Sequence, residues 1–185
     1  MGVLQPSLSD TVSSFGSGIY VLAAELKRSS RLEIGGLGRH SFPKGFYLYV
    51  GSAQRNLAHR LRRHLSEHPN GKKLHWHIDY LLAHARVRYI WGFAGPKDWE
   101  CRLSRYLTGL DGVQIPLDGF GSSDCHCKAH LFYFPEDRLS FVNDTTFNEV
   151  FPKGAGTFVV KLEGKKCVSP QGRYPAASSF VGTGF

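Results

Sequence analysis

The chain has 185 residues, 42% of them hydrophobic and 21% charged, the size and balance of one globular domain with a short appended element. It has no run of 18 apolar residues, and its first residues lack the basic-then-apolar layout of a secretory signal, so the expectation is a cytoplasmic protein with no membrane contact. Twenty-three Lys and Arg against 15 Asp and Glu give a net charge of +8, which points to a polyanionic partner, most often nucleic acid.

In chain order, residues 1–17 carry no periodicity and are expected to be a mobile leader. Residues 18–23 form a compact β-prone run. Residues 31–34 alternate polar and apolar, and residues 46–51 are aromatic and β-branched, so these three segments suggest an antiparallel meander. Gly35-Gly36-Leu37-Gly38-Arg39-His40 interrupts it with room for a longer hairpin or a loop over a substrate. Asn56 is the expected N-cap of a first helix, in which Leu57, Leu61 and Leu65 repeat every four residues until Pro69-Asn70-Gly71. A second helix is expected over about 73–85, a strand over 87–93, and a third helix from an Asp98 cap through 110. A Gly-rich loop around 118–123 leads through Cys125-His126-Cys127 to a strand over 130–134. Beyond 137 one strand is expected at 156–163, with an end expected from its Gly, Ser and Pro content to be disordered. The fold class is α/β: a small sandwich with a central three-stranded antiparallel sheet flanked by helices, extra strands and a C-terminal extension. The expected division is leader 1–17, domain 18–136 and extension 137–185.

Several polar groups fall where a core should be. With Leu57 at zero on a helical wheel, Leu61 and Leu65 lie at about 40° and 80°, His64 at about −20° and Arg60 at about −60°. An Arg and a His facing the protein body cost free energy unless they are paired, although snorkelling or a satisfied core histidine would also serve. On the third helix Glu100 projects beside Leu107, while Cys101, at about 200° from Trp99, projects away from the core face. An acid in a first turn also complements the helix dipole. Together with the strand tyrosines these groups suit phosphodiester cleavage. That reaction needs a base for water, a cation for the developing charge, and a metal at the leaving oxygen. Arg offers a planar fork to phosphate, and one carboxylate with waters is an ordinary Mg²⁺ shell.

Gly18-Ile19-Tyr20, Tyr49-Val50-Gly51 and Asn56-Leu57-x-x-Arg60-Leu61-x-x-His64, in this order, resemble the GIY-YIG nuclease superfamily. Trp76-His77-Ile78-Asp79-Tyr80-Leu81-Leu82, Glu100-Cys101-x-Leu103 and Gly119-Phe120-Gly121-Ser122-Ser123-Asp124-Cys125-x-Cys127 resemble the subgroup found alone or fused to endonuclease III. The resemblance covers about residues 18–134. It implies a divalent-metal-dependent DNA endonuclease with a link to endonuclease III-type repair, RNA remaining open as substrate. In it Tyr20 is the general base, Tyr49 orients water and phosphate, Arg60 stabilises the scissile phosphate, His64 relays a proton and Glu100 holds Mg²⁺ or Mn²⁺. The two motifs stand further apart here than in most members, Val50 replaces Ile, and the asparagine many members carry after the glutamate has only Ser122, Ser123 or Asp124 as stand-ins.

Arg28, Arg31, Lys72, Lys73, Arg86 and Arg88 are the expected nucleic-acid-binding residues. Zinc is a second expected ion, at Cys125, Cys127 and His130, with Cys101 or Cys167 to complete four ligands; a Gly-rich structural or substrate-contacting loop is the competing reading. The alternative function is a nucleic-acid-binding module on the same fold that does not cut.

Overall fold

The β-prone runs pair into one five-stranded antiparallel sheet in the computed structural model, which describes residues 12, 15–66, 74–135, 147, 149–152 and 155–162. The elements are β1 (Gly18–Leu26), β2 (Ser30–Glu33), β3 (Arg39–Phe42), β4 (Gly45–Ala53), α1 (Leu57–Leu65), α2 (His77–Leu82), β5 (Arg86–Phe93), α3 (Asp98–Thr108), β6 (Leu131–Phe134) and β7 (Thr157–Lys161). The sheet order is β6-β4-β1-β5-β7, so β1 is central, with β4 and β5 along its two edges.

Period-two alternation divides the apolar side chains between two layers. Tyr20, Leu22 and Ala24 of β1 and Tyr47 and Tyr49 of β4 pack with Leu57, Leu61 and Leu65 of α1 and Ile78 and Leu81 of α2. Ile19, Val21 and Ala23 face the other way, with Leu103 and Leu107 of α3 and Phe147, Val150 and Phe151. The sheet is thus sandwiched between helices, the α/β class read from the pattern. Leu61, 1% exposed and tied to the first layer, is the sort of side chain whose truncation to Ala costs about 2–5 kcal/mol.

Four local expectations are corrected. The segment around residues 31–34 is not a strand of the main sheet. β2 pairs with β3 instead, and a 3-10 turn at Gly35–Leu37 joins them, so the insertion between the two motifs is a hairpin. The second helix is shorter than its apolar spacing suggested, six residues long. Asn56 precedes α1 but does not cap it with its side chain: it takes a left-handed conformation (φ 53°), and its carbonyl accepts the first helical bond from Arg60 at 3.1 Å. Asp98 is the first helical residue of α3, its N-cap being Lys97. The expected strand of the extension is present as β7, which adds an edge strand beside β5; residues 163–185, most of 1–17, and the segment 67–73 lie outside the described residues.

Candidate active site

Tyr20 lies on the central strand directly opposite Gly51. Its ring crosses that glycine so closely that a Cβ there would stand 2.5 Å from the phenol oxygen. The glycine of the Tyr49-Val50-Gly51 run is therefore the space into which Tyr20 fits. Tyr49 has a similar arrangement on its other side: Gly121, at φ +75°, brings the Gly-rich loop so near that a Cβ would meet the Tyr49 ring at 2.9 Å. The two rings are 6.3 Å apart between centroids, and both lie near His64.

The Tyr20 hydroxyl and His64 Nε2 are 2.8 Å apart. His64 Nδ1 faces Asp79 Oδ1 at 3.6 Å, and a carboxylate only accepts, so the proton is assigned to Nδ1 and the Tyr20 hydroxyl donates to Nε2. Asp79 is fully buried at the start of α2. Its Oδ2 accepts the backbone N–H groups of His75 (3.0 Å) and Trp76 (3.1 Å) and a bond from the Arg63 guanidinium. The carboxylate that closes the first turn of α2 thus also faces the imidazole of α1.

Arg60 and Arg63 both stack on one indole, their guanidinium carbons 4.7 and 4.4 Å from the Trp76 ring centroid. Burial raises the Tyr20 pKa well above the usual tyrosine value, with Tyr49 and Glu100 adding to the rise and Arg60 opposing it. Tyr49 is likewise raised, first by burial and then by Glu100, again against Arg60. Both phenols therefore sense the same cation and the same acid.

Glu100, in the first turn of α3, is 9% exposed. Its Oε2 accepts the Ser52 hydroxyl of β4 at 2.5 Å, and its Oε1 lies 3.3 Å from His130 Nδ1. Each carboxylate oxygen offers two lone pairs, so one on each remains for a divalent cation. A hard oxygen donor beside two phenols fits Mg²⁺ or Mn²⁺. Tyr20, Tyr49 and His64 thus meet on the α1 face of β1 and β4 with Arg60 acting on both phenols, while Glu100 comes from α3 of the opposite layer and is bonded to Ser52 near the end of β4.

Beside Glu100 lies a second group. Cys101, Cys125, Cys127 and His130 each present one ligand atom, all within 4.8 Å of one another, an arrangement able to hold a metal ion. Cys101 turns from the core face of α3 as the wheel placed it, and the Gly-rich loop covers that side of the helix, where Lys97 and Asp124 also pair at 2.8 Å. Burial and the neighbouring thiols push the Cys127 pKa up to about 12. Cys167 lies outside the described residues.

The expected basic surface is divided. Arg28, Arg31 and Arg86 are exposed, and Arg88 pairs with Glu25 at 3.5 Å. Arg86 stands opposite Glu25, five positions from Tyr20 and so about 16 Å along the strand. Nearer Tyr20 is Arg60 of α1, half-buried with Arg63 against Trp76, while Arg62 of the same helix is exposed. Lys72 and Lys73 lie outside the described residues. Arg63 and Ser52 carried no sequence signal of function, and Trp76 and Asp79 entered only as members of the 76–82 run, with no role of their own.

A family model described as Domain of unknown function DUF123 matches residues 19–150. The chain belongs to this family. The match takes in every described residue of the tyrosine–imidazole–carboxylate group and the thiol cluster, so both lie within the DUF123 domain. Comparison with curated proteins and with solved structures found no match. No helix among the described residues is long and apolar enough to cross a membrane.

Proposed function

We propose that the DUF123 domain is a divalent-metal-dependent endonuclease of the GIY-YIG type, hydrolysing phosphodiester bonds in DNA. The observation that carries this reading is the 2.8 Å contact of Tyr20 with His64 in a site where Arg60 and Glu100 act on the same phenol. A base, a phosphate-binding cation and a hard metal ligand are the three groups phosphodiester hydrolysis requires.

The raised Tyr20 pKa favours a relay over a standing tyrosinate. As water attacks phosphorus, its proton passes to the Tyr20 oxygen while the phenol's own proton moves to His64 Nε2. The imidazolium so formed faces Asp79 Oδ1, whose negative charge favours it. Arg60, held on Trp76, presents its fork to the equatorial phosphate oxygens as charge develops there. Tyr49 donates a hydrogen bond to water or phosphate. A divalent cation held by Glu100 would neutralise charge on the leaving oxygen. The α1 arginines would follow the backbone on either side of the cut, with the net charge of +8 supplying the general attraction.

One observation favours the non-cleaving alternative: both Glu100 oxygens already have protein neighbours. One experiment separates the two. Nicked, flapped, branched and lesion-bearing duplexes are incubated with Mg²⁺ or Mn²⁺ and either the wild-type chain, Tyr20→Phe or Glu100→Ala. The nuclease reading expects cleavage that falls about 10²–10⁴-fold in Tyr20→Phe and is lost in Glu100→Ala, with binding retained in both. Failure to cut any duplex, or equal cutting by the variants, leaves only the binding module.

A further inference from the structure

We propose that Cys101, Cys125, Cys127 and His130 hold one Zn²⁺ ion, and that Glu100 is the outer carboxylate orienting His130 toward it. The four ligand atoms lie within 4.8 Å of one another. A tetrahedral zinc with bonds of about 2.3 Å to sulfur and 2.0 Å to nitrogen has edges of about 3.5–3.8 Å, so only a small inward movement is required. One edge already has that length, His130 Nε2 to Cys125 Sγ at 3.5 Å.

The donor set decides the ion. Three thiolates and an imidazole are soft, and they disfavour Mg²⁺ and Mn²⁺. Four protein ligands leave no open position, the pattern of a structural zinc site rather than a catalytic one. Ligating histidines commonly give their second nitrogen to a carboxylate, and here Nδ1 lies 3.3 Å from Glu100 Oε1 while Nε2 points at the sulfur. The loop of residues 118–130 contains no helix or strand, and a loop that long within a packed domain calls for a fastening. The cluster supplies one by joining the loop to α3 through Cys101, next in the chain to Glu100. Two cysteines separated by one residue are a weak signal alone; the third cysteine comes from a helix more than 20 residues earlier, brought near by the fold.

The zinc assignment is independent of the nuclease reading; only the consequence that zinc fixes the position of the proposed metal-binding carboxylate rests on it. The test uses the 185-residue chain purified without chelator. Elemental analysis should find about one zinc per chain, and replacement by Co²⁺ should produce thiolate charge transfer and the intense visible bands of a tetrahedral ion. Cys125→Ser should lose both signals. Where that variant fails to fold, thiol-reactive mercurial titration of the wild-type chain should release the same single equivalent of zinc. Less than about a tenth of an equivalent with no cobalt uptake, or a disulfide found within the cluster, overturns the site. Glu100→Gln should weaken zinc affinity about 10–100-fold, and unchanged affinity removes Glu100 from the centre. Cleavage is not among these readouts, so a zinc-loaded chain that cuts no DNA overturns the nuclease reading while the zinc centre stands.

Discussion

Replacing Asp79 by Ala removes a fully buried acceptor on which three donors converge. The His75 and Trp76 N–H groups would lose their partner at about 1–3 kcal/mol for each that water fails to reach. Arg63, with a side chain 24% exposed, recovers part of its hydration, so its share falls below that of a fully buried charge. The expected net loss is about 3–5 kcal/mol. Asp79→Asn keeps one oxygen for both backbone donors but gives up the charge facing Arg63 and turns an NH2 toward His64 Nδ1, so about 1–3 kcal/mol is expected. Arg63→Ala in the Asp79→Ala background should cost less than in the wild type, because the two changes share one interaction. Urea unfolding followed by tryptophan fluorescence gives all four corners of this cycle, and Trp76 lies beside the pair. At this chain length the Ala variant should melt about 6–20 °C lower. A loss under about 1 kcal/mol, or strict additivity with Arg63→Ala, would refute the claim that Asp79 organises the junction of α1 and α2.

Burial raises the pKa of Tyr20, Tyr47 and Tyr49, so these phenols hold their protons more tightly in the fold than in the unfolded chain. Their contribution is complete below about pH 10 and is lost as pH rises above that, at about 1.4 kcal/mol per group and pH unit. Tyrosinate absorbance should therefore show three of the eight tyrosines appearing together with unfolding; smooth titration of all eight in the folded chain would contradict this. Gly51→Ala should cost about 1–3 kcal/mol, because a Cβ 2.5 Å from a fully buried phenol leaves the ring no easy retreat; a melting temperature equal to that of the wild type would show the ring can move. On the proposed function, DNA affinity should fall linearly on a log–log salt plot, and Arg62→Ala should lower the slope by about one, whereas Arg86→Ala, at the far end of the strand, should change it less. Equal effects at both positions would place DNA across the whole sheet end instead.

Helical periodicity made the inward Arg60, His64 and Glu100 legible because each lies on a helix with three or more leucine or aromatic reference points. His64 and Glu100 are indeed buried beside those leucines. The role of Asp79 was not legible, because a helix expected over 73–85 put it mid-helix, whereas α2 begins at His77 and the carboxylate turns back to the His75 and Trp76 N–H groups. Cys101 was turned from the core face correctly, but its neighbours there were not legible. A wheel orients a side chain against the helix's own apolar face and says nothing of a loop folding over its back. β3 was missed because Arg39-His40-Ser41 lacks apolar alternation; it is a strand only through pairing with β2. Asn56 fitted the composition rule for a cap, yet its residue type was used for the left-handed backbone that asparagine tolerates.

The site is held by two parts of unequal firmness. Tyr20 belongs to the strand flanked on both edges, whose amides should exchange with solvent only through global unfolding. Glu100 is oriented from the other direction, by the Ser52 hydroxyl of β4 and by His130 at the end of a loop outside the sheet. Mild heat or a chelator should thus loosen the loop while the sheet persists. On the proposed nuclease reading, activity would then be lost before the fold, with the loop and not the core setting its lifetime.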